Sequence, residues 1–312
     1  MGLTLLEASK LVSGDVQRAA IIELFAESSD ILRAIEFNDV PGGALKYDVE
    51  GALPGIAFRG VNEAYTESTG VINPATEPLK IVGGDLDVDR SLIKTRGAGI
   101  RSVHVAMKVK AMAQKIHYTI IKGDSTTNPK EFDGLQARLT GSQVISNSGA
   151  SGGAGLSMEK LDEAIDTVDS PTHLIMTKAL ARRLDKASKS TSLSGTINFE
   201  KDDFGRRMRV YNDLPVLIAD ANDIAAANAA LGANESYTGG GTANGTSVYV
   251  VSFRDGMLEG LQNEVMEVED LGHQDAKPVV RTRVEWLVSI ALLHPRAACR
   301  LRDINQATAA VA

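Results

Sequence analysis

The sequence predicts an α+β fold: one long helix and a set of long strands forming a body, joined to a hairpin with little core of its own. Three observations carry this. Residues 100–122 contain neither Pro nor Gly, and Ala106, Val109, Ala113, Ile116 and Ile120 recur at spacings of three and four, which lines them along one helical face. Residues 265–301 read as long strands broken at His294-Pro295. Residues 44–89 look extended, yet Tyr47, Val49, Leu53, Ile56, Phe58, Val61 and Tyr65 stand among Gly, Pro, Asn and Thr, too few to bury both faces of a sheet.

Composition narrows the class. The chain has 312 residues, 33 Lys+Arg against 40 Asp+Glu, a formal net charge of −7 and an apolar fraction of 43%. At ~150 residues per domain the length suggests two domains. A strongly basic nucleic-acid binder is disfavoured, because such proteins need a cationic excess to displace counterions. One cysteine, Cys299, leaves no intrachain disulfide framework. The start of the sequence lacks a basic region followed by an apolar stretch, and the longest apolar run, 286–293, falls short of the ~18 residues that cross a bilayer. The expectation is a cytoplasmic, reducing origin.

The first forty residues read as an amphipathic arm. Asp15 is positioned to cap one helix bearing Val16, Ala20, Ile21, Leu24 and Phe25, and Asp30 a second bearing Ile31, Leu32 and Ile35, before Pro41-Gly42-Gly43 ends helical structure. Such an arm has too little apolar surface to fold alone and must pack on something else, in cis or in trans, and the expectation is that it gains its missing burial on an adjacent subunit. In 44–89, two strands joined by a loop around Glu67-Ser68-Thr69-Gly70 make sense if the hairpin lies on a neighbouring subunit. The helix over 100–122, roughly 35 Å long, ends at Gly123 and packs its stripe on a sheet.

This stretch is also segregated in charge: Arg90, Lys94, Arg96, Arg101, Lys108, Lys110, Lys115 and Lys122 occur with no acidic residue between 90 and 122. It is read as a solvated face, as a partner for acidic groups elsewhere in this subunit or another, or as a weak contact with nucleic-acid phosphates.

The second half alternates α and β. Ser157 caps a helix with Leu161, Ile165 and Val168; 172–176 is a strand; Thr177 caps a helix with Leu180 and Leu184; 208–211 and 215–219 form a hairpin through Asn212-Asp213; 247–253 is a strand. Residues 146–155 and 232–245, rich in Gly, Ser, Asn and Ala, read as mobile surface loops.

Catalytic motifs fail on inspection. Asp85, Asp87 and Asp89 have calcium-loop spacing, but Arg90 stands where the turn glycine belongs and Arg96 where a bidentate Glu belongs. The glycines of 149–155 lack the Lys-Ser/Thr of a phosphate loop. The five histidines show no metal-ligand spacing, and Cys299 alternates like a buried strand residue. No catalytic, cofactor or metal residue is expected, and an enzyme acting on a small molecule is the weakest of the functional readings.

Several segments together resemble one family. Leu53-Pro54-Gly55-Ile56-Ala57-Phe58-Arg59-Gly60-Val61-Asn62-Glu63 is similar to the start of the extended loop of tailed-bacteriophage major capsid proteins. Leu79-Lys80-Ile81-Val82-Gly83-Gly84-Asp85 through Arg90 resembles the approach to their spine helix. Ile121-Lys122-Gly123-Asp124, a short insert, then Pro129-Lys130-Glu131-Phe132-Asp133-Gly134-Leu135 is the most specific signature. Arg283-Val284-Glu285-Trp286 and His294-Pro295-Arg296-Ala297-Ala298 resemble the closing strands.

The resemblance implies a Hong Kong 97-type capsid fold: an N-terminal arm (1–45), an extended loop (46–89), a peripheral domain (90–140 and 265–290) and an axial domain (141–264 and 291–312). It further implies pentamers and hexamers in an icosahedral shell around double-stranded DNA, present in the virion and assembled in the host cytoplasm. Scaffolding, portal and possible decoration proteins are the expected partners, with no membrane and no cofactor; an encapsulin-like cellular shell is the alternative. Phe58, Arg59, Val61, Asn62, Glu63 and Tyr65 would contact the neighbouring subunit, and Arg101, Lys108, Lys110 and Lys115 could face DNA. The namesake cross-links through a Lys near the loop tip; here no Lys occurs between Lys46 and Lys80, so non-covalent maturation is expected. About forty residues precede the loop, so scaffolding is expected from a separate protein.

Overall fold

The computed structural model describes residues 3–4, 29–97, 99–187, 197–201, 207–219, 230–242 and 244–308. The helix read over 16–25 lies outside them.

In chain order the elements are β1 (Leu3–Thr4), α1 (Asp30–Ala34), β2 (Glu36–Asp39), β3 (Ala44–Ala52), β4 (Val71–Pro78), β5 (Lys80–Asp89), α2 (Arg90–Arg96), α3 (Gly99–Lys122) and α4 (Leu135–Arg138). There follow β6 (Val144–Ser146), α5 (Met158–Thr167), β7 (His173–Met176), α6 (Lys178–Ala187), β8 (Ile197–Lys201), β9 (Arg207–Tyr211) and β10 (Leu214–Ile218). The chain closes through β11 (Gly245–Val251), β12 (Leu258–Gln262), β13 (Glu267–His273), β14 (Val279–Leu292) and β15 (Ala298–Asn305).

One sheet is built around β14. Its first ten residues pair with β5, its last five with β12, and β13 lies along its other edge. Residues of β14 alternate as strand geometry demands: Val280, Val284, Trp286 and Val288 turn inward onto α3, whose Val105, Val109, Met112, Ala113, Ile116 and Ile120 are buried against them. The sequence-predicted helical stripe therefore packs on a sheet, although Ala106 is only half-buried.

The second sheet runs β6-β15-β11-β7-β10-β9-β8. Both of its faces are covered, and period-two alternation divides each strand between two cores: Leu174, Met176, Val248 and Val250 meet α5 and α6, whereas Ile175, Tyr249 and Val251 join the core around α3. The caps at Ser157 and Thr177 are present, Leu180 donating to Thr177 Oγ1 at 3.2 Å, and Asn212-Asp213 make the tight turn with positive φ at both residues.

Four expectations are corrected. Ser29 rather than Asp30 caps α1, its Oγ accepting from Leu32 N–H while Asp30 accepts from Ile218 N–H. The arm residues that follow do not wait for a neighbour: Ile31, Leu32 and Ile35 are fully buried in this subunit, and Phe37 on β2 packs on Trp286 with ring centroids 5.0 Å apart. Burial of each is worth about 1.5–3 kcal/mol, which outweighs leaving the segment free.

Residues 44–89 are not one hairpin: β3 and β4 pair with each other, the connecting loop takes all of 53–70, and β5 leaves to join β14. The two Gly-rich loops are held rather than loose. Gly152 N–H donates to Gly240 O at 2.9 Å, Thr238 Oγ1 donates to Asp303 Oδ2 at 2.7 Å, and Ser146 Oγ donates to the same oxygen at 2.7 Å. Their polar side chains and open backbone suit solvent, but pairing with each other and with the buried Asp303 satisfies them better.

Candidate assembly interface

The helix end and the hairpin root are locked together by the segment 123–138. Gly123 stops α3, its N–H donating to Thr119 O at 2.8 Å, and Gly134 N–H donates to Gly123 O at 2.9 Å. A Cβ on Gly123 would sit 2.3 Å from Phe132 O, and one on Gly134 2.5 Å from Thr119 O, so the two chains can approach only because both residues lack a side chain. Asp133 accepts from Ser125 N–H at 2.7 Å, and Leu135 is fully buried. That is the physical content of the Gly-Asp…Asp-Gly-Leu pattern.

From this lock Arg138 reaches the hairpin, forking onto Glu77 with Nη2 to Oε2 at 2.8 Å while its Nε holds Asp133 O at 2.8 Å. Tyr47 donates to the same Glu77, and partial burial together with that carboxylate pushes its hydroxyl pKa up. Lys80 donates to Pro129 O at 2.8 Å, and Val40, Leu261 and Ala291 with Leu45, Leu79 and Leu293 form a small core beneath the root.

Beyond the root the hairpin is bare. In the loop 53–70, Ile56 is 97%, Phe58 109% and Val61 91% exposed, with Tyr65 and Leu53 also open. The loop is shaped nevertheless. A turn at 60–63 places Asn62 at φ 67°, Gly60 N–H donates to Glu63 Oε2 at 2.8 Å, Arg59 donates to Glu63 O at 3.2 Å and stacks over Tyr65 at 5.2 Å. Thus the structure brings Arg59, Asn62, Glu63 and Tyr65 together, and leaves Phe58 and Val61 unsupported beside them. The loop thus presents Leu53, Ile56, Phe58 and Val61 to solvent.

Of the five basic residues of α3, the four expected to face DNA separate into two pairs. Arg101 binds Asp270 at 2.6 Å and Thr282 Oγ1 at 2.7 Å, and Lys115 binds Glu131 at 2.7 Å. Lys108 and Lys110 have no ion pair among the described residues. Lys122 donates to Asn234 at 2.9 Å.

The aspartates with calcium-loop spacing are spoken for: Asp87 accepts from Arg281 at 2.6 Å, Asp85 from Arg283 at 2.7 Å, and Asp89 caps α2. The arginine partners hold the Asp85 and Asp87 carboxyls below their ordinary pKa. Cys299 is buried, and burial pushes its thiol up to about 11, the reverse of an activated nucleophile.

Sequence reasoning missed Glu77, Arg138 and the buried pair Arg300–Glu235, 3.0 Å apart beneath Tyr249. None of the four stands out within its own segment. Only the pairing, across 61 and 65 residues respectively, makes them stand out.

An arm segment buried in its own body, a long helix on a strand-rich sheet, a second two-faced sheet and a projecting hairpin define the Hong Kong 97-type fold. Known proteins agree. Residues 13–158 match the family model "Major capsid protein GP7". Among solved structures the chain is similar to the SrpI encapsulin of Synechococcus elongatus PCC 7942, at 14% identity and a TM-score of 0.64, covering 100% of this chain and 99% of that one. It is similar also to a structure from Mycobacterium phage Bobi, at 13% identity and a TM-score of 0.59 with 91% of each chain covered. The capsid of an empty GTA particle matches at 15% identity and a TM-score of 0.58, covering 89% and 90%. No curated protein matches. The chain thus has the fold of tailed-phage-type major capsid proteins, and its residues 13–158 are similar to the family model.

Proposed function

We propose that the chain is the major head protein of a tailed bacteriophage, assembling as pentamers and hexamers into an icosahedral shell around double-stranded DNA. The observation that carries this is the loop 53–70: Phe58, Ile56 and Val61 stand in solvent on a hairpin whose root is firmly fixed. Covering them on an adjacent copy is a heterologous contact, and such contacts close into rings. Phe58, Arg59, Val61, Asn62, Glu63 and Tyr65 form that contact. The work of the chain is structural rather than enzymatic, in the virion after assembly in the host cytoplasm.

Charge supports the orientation of the wall. The helix side carries Lys108 and Lys110 with no ion pair among the described residues, while the outward face of the β5–β14–β13 sheet carries Asp85, Asp87, Glu267, Glu269 and Glu285 against Arg281 and Arg283. With the helix side inward, Lys108 and Lys110 meet the DNA phosphates loosely, and Arg101 and Lys115 serve first as in-chain ion-pair partners. Scaffolding, portal and possible decoration proteins complete the assembly.

A second reading is an encapsulin-like cellular compartment, favoured by the match to SrpI over the whole of this chain. Electron microscopy of the purified protein, followed by nuclease protection and mass analysis of the particle contents, separates them. Spheres containing protected duplex DNA support the head protein; spheres filled with protein cargo support the compartment; small monomeric globules overturn both.

A further inference from the structure

Between α2, the start of α3 and the β13–β14 edge lies a cavity of about 410 Å³ lined by Arg90, Lys94, Arg101, Asp270 and His273, with Ile93 and Val280 as its apolar wall. Arg90 and Lys94, exposed on α2, and the half-buried Arg101 face one carboxylate there, so the lining carries two more positive than negative charges. The cavity is built rather than incidental. Arg90 N–H is tied to Pro278 O at 3.0 Å, which fixes the start of α2 against β14. The Arg101 guanidinium is oriented from behind, its Nη2 bound to Asp270 and to Thr282 Oγ1 and its Nε also directed at Thr282, which leaves Nη1 without an acceptor among the described residues. Asp270 is itself held by Gly272 N–H at 2.9 Å, in the bulge where Gly272 takes φ 66°. A guanidinium pre-set in this way, flanked by a second Arg and a Lys, matches the tetrahedral oxygens of a phosphoryl group better than a single flat carboxylate.

We propose that this cavity is a binding site for a phosphate-class anion, with Arg90, Lys94 and Arg101 as its ligands and Asp270 as the residue that positions Arg101. The shared chemistry is the phosphoryl oxygen, supplied either by a free phosphate or by the phosphodiester backbone of a nucleic acid. The site stands independently of the shell reading, since it needs only one subunit.

The test is calorimetric titration of the purified full chain at neutral pH and low salt with three probes: inorganic phosphate, a short duplex oligonucleotide, and acetate at matched ionic strength. Saturable binding of phosphate identifies the free anion as a ligand. Binding of the duplex alone identifies the polymer. In either case Arg90→Gln with Lys94→Gln weakens binding about tenfold or more, the scale of a charge-assisted hydrogen bond, whereas Lys130→Gln, distant from the cavity, leaves it unchanged. Asp270→Asn keeps an oxygen acceptor that positions Arg101 but removes the opposing charge and, with the fold retained by circular dichroism, tightens binding severalfold; weaker binding overturns the assigned balance of charge. Equal binding of acetate, indifference to the double substitution, or no binding of either phosphate probe overturns the proposal.

Discussion

Arg138 and Glu77, 61 residues apart, form a two-pronged ion pair that fastens the extended hairpin to the segment following the long helix. Both side chains are largely buried, so the pair cannot be halved cheaply.

Removing one partner leaves a charge in a poorly hydrated place, which costs about 3 kcal/mol. Arg138→Ala should lower thermal stability by that order and raise amide exchange at 44–47 and 75–78. The double change Arg138→Met with Glu77→Leu should recover most of the loss. Equal damage from the single and double variants would show that the pair is a bystander.

Substitution at the exposed tip should separate folding from assembly. Phe58→Ser should leave the melting temperature of the free subunit unchanged while raising the critical concentration for particle formation at least about tenfold, the scale of losing ~1.5–3 kcal/mol of aromatic burial per contact. Light scattering against concentration reads this directly.

Acid should weaken the subunit through two histidines. Burial holds His117 near pKa 4, against an ordinary value of 6.5, and does the same to His173. The unfolded chain therefore takes up these protons first. The stability conferred by the neutral rings is complete above pH 6.5 and declines as pH falls from there toward 4, by up to about 3 kcal/mol for His117. His117 faces Ser29, the cap of α1, so the arm should loosen first. His117→Gln should flatten the stability–pH slope in this window; an unchanged slope would assign the effect elsewhere.

Reversing Lys108 and Lys110 to Glu should alter packaged genome length or retention with subunit stability intact, because neither residue has an ion pair among the described residues. Lys115→Glu should instead destabilise the loop at Glu131. Identical behaviour of all three would contradict the division.

Denaturing electrophoresis of mature shells should give a monomer band, since the tip between Lys46 and Lys80 offers no amine for a covalent bond. A ladder of linked rings would refute this.

Much of the architecture was legible because local rules agreed with the tertiary outcome. The apolar stripe ending at Ile120 and Gly123, the Ser157 and Thr177 caps, and the Asn212-Asp213 turn are each decided within a few residues. What escaped depends on distant partners. Asp30 is as good a cap as Ser29 until Ile218 N–H claims its carboxylate. Leu79 to Asp89 continues the extended hairpin until β14 offers ten residues of pairing. The Gly-rich loops look free until Asp303, buried on β15, collects Ser146 and Thr238. Of the interface, the apolar tip could be read directly, whereas Glu77 and Arg138 gave no local signal.

The pairing of β5 with β14 has a mechanical consequence. The two strands run antiparallel in register from Lys80 opposite Val288 to Asp89 opposite Val279, and β4 ends only two residues before β5 begins. Tension drawn along β5 by a tethered hairpin acts in shear, straining the ladder of hydrogen bonds side by side instead of peeling them one after another. A joint stressed in that direction yields abruptly and at high force rather than gradually.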